Sequence, residues 1–307
     1  MNYYCHFLFK LKELEHLGAK VFCIGRSTLG RPIFCVRIGS GEKKLVVQSS
    51  IHAREHITCQ LSFLLLKHLL KEELCGRVFF IPLSNPDGVC LAKEGLASLN
   101  KLDEEQKLCQ KLFAFCQEQK ISKLFVNALK KKLFAINNFS QDFSLWKANI
   151  NCVDLNVNFD AKWKSGKLNK LVPASENYVG PCPLSENETK ALANFVCALK
   201  PHMTISYHSK GEVIFYDFHQ KGKQKKRDKK FATEISKLTG YKIKKTGKSA
   251  GGFKDYCIQK LKIPSLTIEV GKESFCHPIL PNCLPLIYSQ NKKVIQKSLA
   301  LLNEINV

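Results

Sequence analysis

Short apolar runs of strand length alternate along the chain with longer stretches of helical pattern. The runs fall at Val21–Cys23, Ile33–Ile38, Leu45–Gln48, Val78–Pro82, Met203–Tyr207, Val213–Tyr216 and Ser265–Val270. They are short and mostly β-branched, aromatic or leucine-rich, which predicts strands. Thr58–Glu73, Lys190–Leu199, Lys230–Leu238, Gly252–Leu261 and a stretch from about Leu286 to Asn303 read as helices. Ser185 and Glu188 have the spacing of a capping box ahead of the apolar "ALANFVCAL", and Gly240 reads as a helix stop. Strands that alternate with helices predict an α/β fold, a mixed, mostly parallel β-sheet flanked by helices. Residues 99–135 are lysine- and leucine-rich and predict a helical insertion. Neither an internal repeat nor a Pro- or Ser-rich linker divides residues 1–307, so the expectation is a single domain.

Composition narrows the class. A chain of 307 residues, 45% hydrophobic, can bury a sizeable core, which argues against disorder. The net charge of +22 comes almost wholly from lysine, with arginine only at positions 26, 31, 37, 54, 77 and 227. Such a balance favours acidic partners. The densest basic run, Lys221–Lys230, lacks the interleaved aromatics of a nucleic-acid groove and reads as a solvated loop and helix start, so no nucleic-acid partner is expected. The fourteen cysteines, among them Cys59, Cys90, Cys197 and Cys257, are scattered through apolar segments of a chain of ordinary domain size, the pattern of reduced, mostly buried thiols. The opening "MNYYCHFLFKLKELEHL" carries no basic region ahead of its apolar patch, and no run of about 18 apolar residues offers a membrane span. These features predict a cytoplasmic protein.

Candidate chemistry sits at strand ends. In "VVQSSIHAREHITC", His52 and Glu55 lie three residues apart where an apolar run stops. Alone, the pair fits either a metal site or two polar residues starting a surface helix. Ligand sites of open α/β sheets form beyond the carboxyl ends of strands, and His208 and Glu269 also fall there. Catalytic zinc commonly takes three N or O ligands and keeps a fourth position open, an arrangement that His52, Glu55 and His208 satisfy.

The flanking blocks "IHAREH", "NPDGV", "WKANINCVDLNVNFDAKW", "SYHSKGEVIFY" and "GGFKDYCIQKLKIPSLTIEVG" resemble, in this order, the zinc carboxypeptidase (M14) family over about residues 20–300. The blocks "WKAN…VDLN", "HSKGEVIFY" and "GG-x-KDY" are most similar to the bacterial branch that cuts the γ-D-glutamyl–diaminopimelate bond of murein peptides. The resemblance implies one zinc ion per chain, held by His52, Glu55 and His208. It implies Asp154 as the carboxylate that orients the first histidine, and Glu269 as the general base that takes a proton from zinc-acidified water and passes it to the leaving amine. Lys147 stands where digestive members carry the arginine that stabilises the oxyanion, and it supplies a point charge in place of a bidentate fork.

The departures from the family pattern concern substrate. Carboxypeptidases hold the terminal carboxylate with an Asn-Arg pair, here Asn156-Val157. Valine cannot bind a carboxylate, so either another cation takes over or the carboxylate lies elsewhere. The tyrosine that closes over substrate in digestive members would fall near Gly247, where none occurs. Lys254 matches the position that lines the pocket for the side chain after the scissile bond and favours a carboxylate there, while Arg54 is a further candidate for binding substrate carboxylates. The resemblance therefore implies a zinc metallopeptidase acting on murein-derived or acidic peptides. The alternatives are a general metallocarboxypeptidase that removes acidic C-terminal residues and a non-catalytic module that binds peptidoglycan peptides.

Overall fold

The computed structural model describes residues 1–117 and 119–304. The apolar patch at the N-terminus is one face of a helix, α1 (Tyr3–His16), which starts where the Asn2 side chain accepts the Cys5 N–H. Tyr4, Phe7, Leu8, Leu11 and Leu14 recur at helical spacing along it and are buried. Strands β1 (Lys20–Arg26), β2 (Pro32–Ile38) and β3 (Lys44–Ser49) follow, then α2 (Ile57–Leu69), β4 (Arg77–Ile81) and α3 (Pro86–Glu94). The predicted insertion holds α4 (Leu102–Leu112) and α5 (Lys123–Ile136). Beyond it come α6 (Asn187–Leu199), β5 (Met203–Ser209), β6 (Val213–Phe215), α7 (Gly222–Thr239), β7 (Lys242–Ile243), α8 (Phe253–Tyr256), β8 (Ser265–Val270), α9 (Leu284–Asn291) and α10 (Val294–Glu304). All seven predicted strands form, and the two-residue β7 joins them.

The strands make one sheet in the order β1-β2-β4-β3-β5-β8-β6-β7. Its centre, β4-β3-β5-β8, is parallel; β1 and β2 pair antiparallel with their neighbours, as β6 does with β8, while β7 pairs parallel with β6. Both faces are covered, as a parallel centre requires. Leu45, Val47, Ile205, Tyr207, Leu266 and Ile268 point to the face packed by α1, α2, α7, α9 and α10. The opposite face, which carries Val46, is packed by α6 and α8 through Leu192, Val196 and Phe253. Each such fully buried aliphatic side chain contributes ~1.5–3 kcal/mol of transfer free energy. Towards the carboxyl ends of the central strands that second face turns polar. Gln48 sits beside Ser206, Ser206 beside Thr267, and His208 beside Glu269. The strand order thus brings residues more than 200 positions apart onto one patch of sheet.

The insertion is tied into this frame. Leu99, Leu102, Val126, Leu129 and Leu133 pack with Ala53 and Trp146, the neighbours in sequence of Arg54 and Lys147. Arg31, wholly buried ahead of β2, reaches Asp87 Oδ1 and Glu105 Oε2, each at 2.8 Å, and donates to the Ser98 carbonyl.

Two local expectations are corrected. α6 begins at Asn187 without a side-chain cap, and Ser185 donates instead to Glu186 Oε1. Glu188 is buried, where desolvation pushes its carboxyl up to about 8, so it is not the solvent-facing partner of a capping box. The basic run at 221–230 is mostly helix rather than loop, since α7 starts at Gly222; the predicted stop holds, with Gly240 left-handed and its N–H on the Ser236 carbonyl. All fourteen cysteines are free and eight are buried, the reduced state that their spacing predicts. Among the described residues no helix is long and apolar enough to cross a membrane.

Candidate active site

After β3 the chain makes a single 3₁₀ turn, Ala53–Glu55, held by Ala53 N–H on the Lys147 carbonyl and by Thr58 Oγ1 on the Glu55 carbonyl. In a 3₁₀ turn side chains three apart eclipse, which is why His-x-x-Glu aims both side chains at one point. His52 Nδ1 lies 2.8 Å from Glu55 Oε1. From β5, His208 Nδ1 comes to 3.1 Å from Glu55 Oε2 and 3.2 Å from His52 Nδ1, and the Ser209 N–H steadies the same oxygen at 3.2 Å. All three side chains are buried, and their ligand atoms lie within 4.8 Å of one another.

On its far side, His52 Nε2 is 3.3 Å from Asp154 Oδ1. A neutral His52 with its proton on Nε2, the nitrogen facing Asp154, turns the Nδ1 lone pair towards the Glu55 carboxylate, and His208 Nδ1 converges on the same place. Acceptors that face one another in a buried site repel unless a proton or a cation lies between them. The donor set, two imidazole nitrogens and a carboxylate, is that of a catalytic zinc site, with Asp154 orienting the histidine. The residues therefore fit the metal. Burial works against charge on Glu55 and Asp154, yet Glu55 stays well below the usual carboxylate range because His52 and His208 outweigh that burial. Asp154 does likewise through Lys147 and His52.

Glu269, near the end of β8, is in register with His208. Burial pushes its carboxyl up to about 7, an effect that His208 opposes and Glu55 reinforces. A carboxylate poised near neutrality suits a group that must both accept and release a proton. Lys147 enters the site with a partner already in place, since its ammonium lies 2.8 Å from Asp154 Oδ2 and 3.4 Å from Asn177 Oδ1. Sequence reasoning could not supply that pairing, which spans seven residues of irregular chain.

Two cavities meet here. The larger, about 500 Å³, is lined by His52, Lys147, Asn156, Val157, Lys167 and Lys248 among others; the smaller, about 160 Å³, by Asn156, Lys254, Asp255, Thr267 and Glu269 among others. Asn156, Thr246 and Ser249 border both. Lys254 is buried in the smaller cavity as its sequence position predicts, but not as a lone cation. It donates to the Asp217 carbonyl at 2.8 Å, reaches Asp255 Oδ1 at 2.6 Å, and lies 5.6 Å from the Phe218 ring centre. Arg54 lines neither cavity and contacts Glu176 and the Leu145 carbonyl. Neither Lys167 nor Lys248 stands in a recognisable motif, and among so many lysines only their place in the fold distinguishes them.

The family model for zinc carboxypeptidases matches residues 5–281. The chain belongs to this family. It is 30% identical over 272 residues to γ-D-glutamyl-L-diamino acid endopeptidase 1 of Lysinibacillus sphaericus, an alignment covering 83% of this chain and 61% of that protein, so it spans less than two thirds of this curated relative. It is 29% identical over 285 residues to the uncharacterized protein YqgT of Bacillus subtilis, covering 86% of this chain and 68% of that one. Bovine thrombin-activatable fibrinolysis inhibitor, solved in complex with a tick carboxypeptidase inhibitor, superposes with a TM-score of 0.76 at 17% identity over 100% of this chain and 99% of that one. The murein-tripeptide amidase MpaA of Escherichia coli O157 gives a TM-score of 0.51 at 18% identity over 92% and 90% of the two chains. At such identities the superpositions carry the fold alone, and the α/β sheet predicted from sequence is the carboxypeptidase sheet.

Proposed function

We propose that this zinc carboxypeptidase family member hydrolyses an amide bond in murein-derived peptides, the γ-D-glutamyl–diaminopimelate bond, on the amino side of a residue whose side chain ends in a carboxylate. The observation that carries the reading is Lys254, a buried cation in the small cavity beside Glu269. Its ammonium has three N–H donors, of which Asp217 and Asp255 occupy two, so one remains for a substrate carboxylate. The 30% identity to an endopeptidase named for γ-D-glutamyl-L-diamino acid bonds supports the same substrate class.

The chemistry follows from the residues around the cavities. Zinc held by His52, Glu55 and His208 would supply a Lewis acid and make water a competent nucleophile at neutral pH. Glu269 takes the proton of the attacking water and returns it to the leaving amine. Asp154 holds His52 on one oxygen and Lys147 on the other. Lys147, fixed by that contact at the wall of the larger cavity, offers positive charge to the oxyanion that develops on the carbonyl.

Specificity tests the reading. A desolvated charge-assisted contact is worth ~1.5–3 kcal/mol, so L-Ala-γ-D-Glu-diaminopimelate should be cut at least ~10-fold more efficiently than its lysine analogue, which sets an ammonium against Lys254. The Lys254→Glu variant should narrow or invert that ratio. Equal kcat/KM for the two peptides with the unmodified enzyme would remove the basis for a murein substrate. Efficient release of glutamate from ordinary acidic C-termini would favour a general metallocarboxypeptidase, which Lys254 also permits.

A further inference from the structure

The loss of arginine at position 157 leaves open how a substrate's main-chain carboxylate is held, and the walls of the larger cavity supply an answer. Resting on the peptidase reading above, we propose that Lys248, supported by Lys167, is the main-chain carboxylate anchor of this chain. The substrate class is then a peptide that ends at the residue following the scissile bond.

Four observations converge on this pair. Asn156 keeps its half of the clamp: its Oδ1 accepts the Phe253 N–H at 3.1 Å, which turns the amide N–H₂ outward as the donor end, and no partner takes those hydrogens among the described residues. Val157, next to it in the cavity wall, offers only methyl groups. Among the described residues no aspartate or glutamate lines this cavity, and of its three lysines only Lys147 has an acidic partner, Asp154. Lys167 and Lys248 therefore leave it with two uncompensated positive charges.

The fourth observation is position. Lys248 lies between Thr246 and Ser249, both of which border the junction of the two cavities. Thr246 is pinned there by three hydrogen bonds to Asp217, the residue whose carbonyl also accepts from Lys254. The Lys167 N–H donates to the Lys248 carbonyl at 3.0 Å, so the second lysine is tied to the same segment. A substrate residue that puts its side chain in the small cavity against Lys254 then presents its main-chain carboxylate to the Asn156 amide and to Lys248. Lysine is a point charge on a flexible stem, so this anchor discriminates by charge more than by the geometry an arginine fork imposes.

The experiment compares L-Ala-γ-D-Glu-diaminopimelate carrying a free or an amidated main-chain carboxylate on the diaminopimelate. kcat/KM is measured for the zinc-loaded unmodified enzyme and for Lys248→Gln, Lys167→Gln, the double variant and Lys248→Arg. Calorimetric binding of both peptides in a Glu269→Gln background reads the anchor without turnover. The unmodified enzyme should prefer the free carboxylate by about tenfold, the double variant by less than about twofold, and Lys248→Arg should keep the preference. Both lysines are exposed, so the variants should unfold at the same denaturant concentration as the unmodified protein, and a changed preference then reads the anchor and not the fold. Undiminished preference in the double variant, or none in the unmodified protein, overturns the anchor. Cleavage without preference refutes the anchor and leaves the peptidase reading standing. Selective binding without cleavage does the reverse, and failure of both peptides to bind overturns both.

Discussion

The Glu269→Gln protein is expected to keep its metal and to lose about 10²–10⁴-fold in kcat, the usual contribution of a general acid–base group. The amide has nearly the size of the carboxylate it replaces, and position 269 lies outside the convergent ligand set of His52, Glu55 and His208. What changes is one function, because an amide cannot accept the proton of the attacking water. Burial holds the Glu269 carboxyl up at about 7, and the base is the ionised form. Activity of the unmodified enzyme should therefore rise with pH as this group deprotonates and fall as acid protonates it. The substituted enzyme should lack that limb. Near-normal turnover by Glu269→Gln, with metal content unchanged, would assign the base to another residue.

The second large effect lies away from the chemistry. Arg31→Met should destabilise the protein by about 3–5 kcal/mol, because it leaves two carboxylates in the interior without their cation. Asp87 and Glu105 are both buried, and burial already raises Glu105 despite the neighbouring guanidinium. Arg31 also closes the Ser98 carbonyl and lies 5.7 Å from the centre of the Tyr4 ring, so one side chain joins α1, α3, α4 and the start of β2. Denaturant unfolding measures the loss. The double variant Arg31→Met/Glu105→Leu should recover part of it, since removing a charge with its partner costs less than stranding one. A loss below about 1 kcal/mol for Arg31→Met would mean that this buried network does not hold the insertion to the sheet.

The parts of this molecule legible in sequence are those encoded locally. Strands such as Met203–Ser209 announce themselves by apolar runs, and the His52–Glu55 pair by a spacing that a 3₁₀ turn converts into convergence. The helix at Tyr3–His16 carries the same kind of signal, but lysines and glutamates on its outer face interrupt the apolar run. Ser185 and Glu188 show the opposite error, a correct local motif overruled by tertiary burial of Glu188 next to Asn149. Residues 99–135 gave no clue to their role because it lies in contacts across the chain, Arg31 to Glu105 and Leu133 near Trp146. The same holds at the site. Lys147 and Lys254 stand out through resemblance to a family pattern, but their partners Asp154, Asp217 and Asp255 set how much of each charge is free. Lys167 and Lys248 become distinct from the other lysines only when the 80 residues between them close a cavity around them.

Elemental analysis of the purified protein decides whether His52, Glu55 and His208 form one metal site. Because ligand histidines must be neutral to bind, the measurement belongs at pH 8, with affinity weakening on acidification. One zinc per unmodified chain is expected, retained in Glu269→Gln and largely lost in a folded His208→Ala protein. Full zinc occupancy in His208→Ala would contradict it.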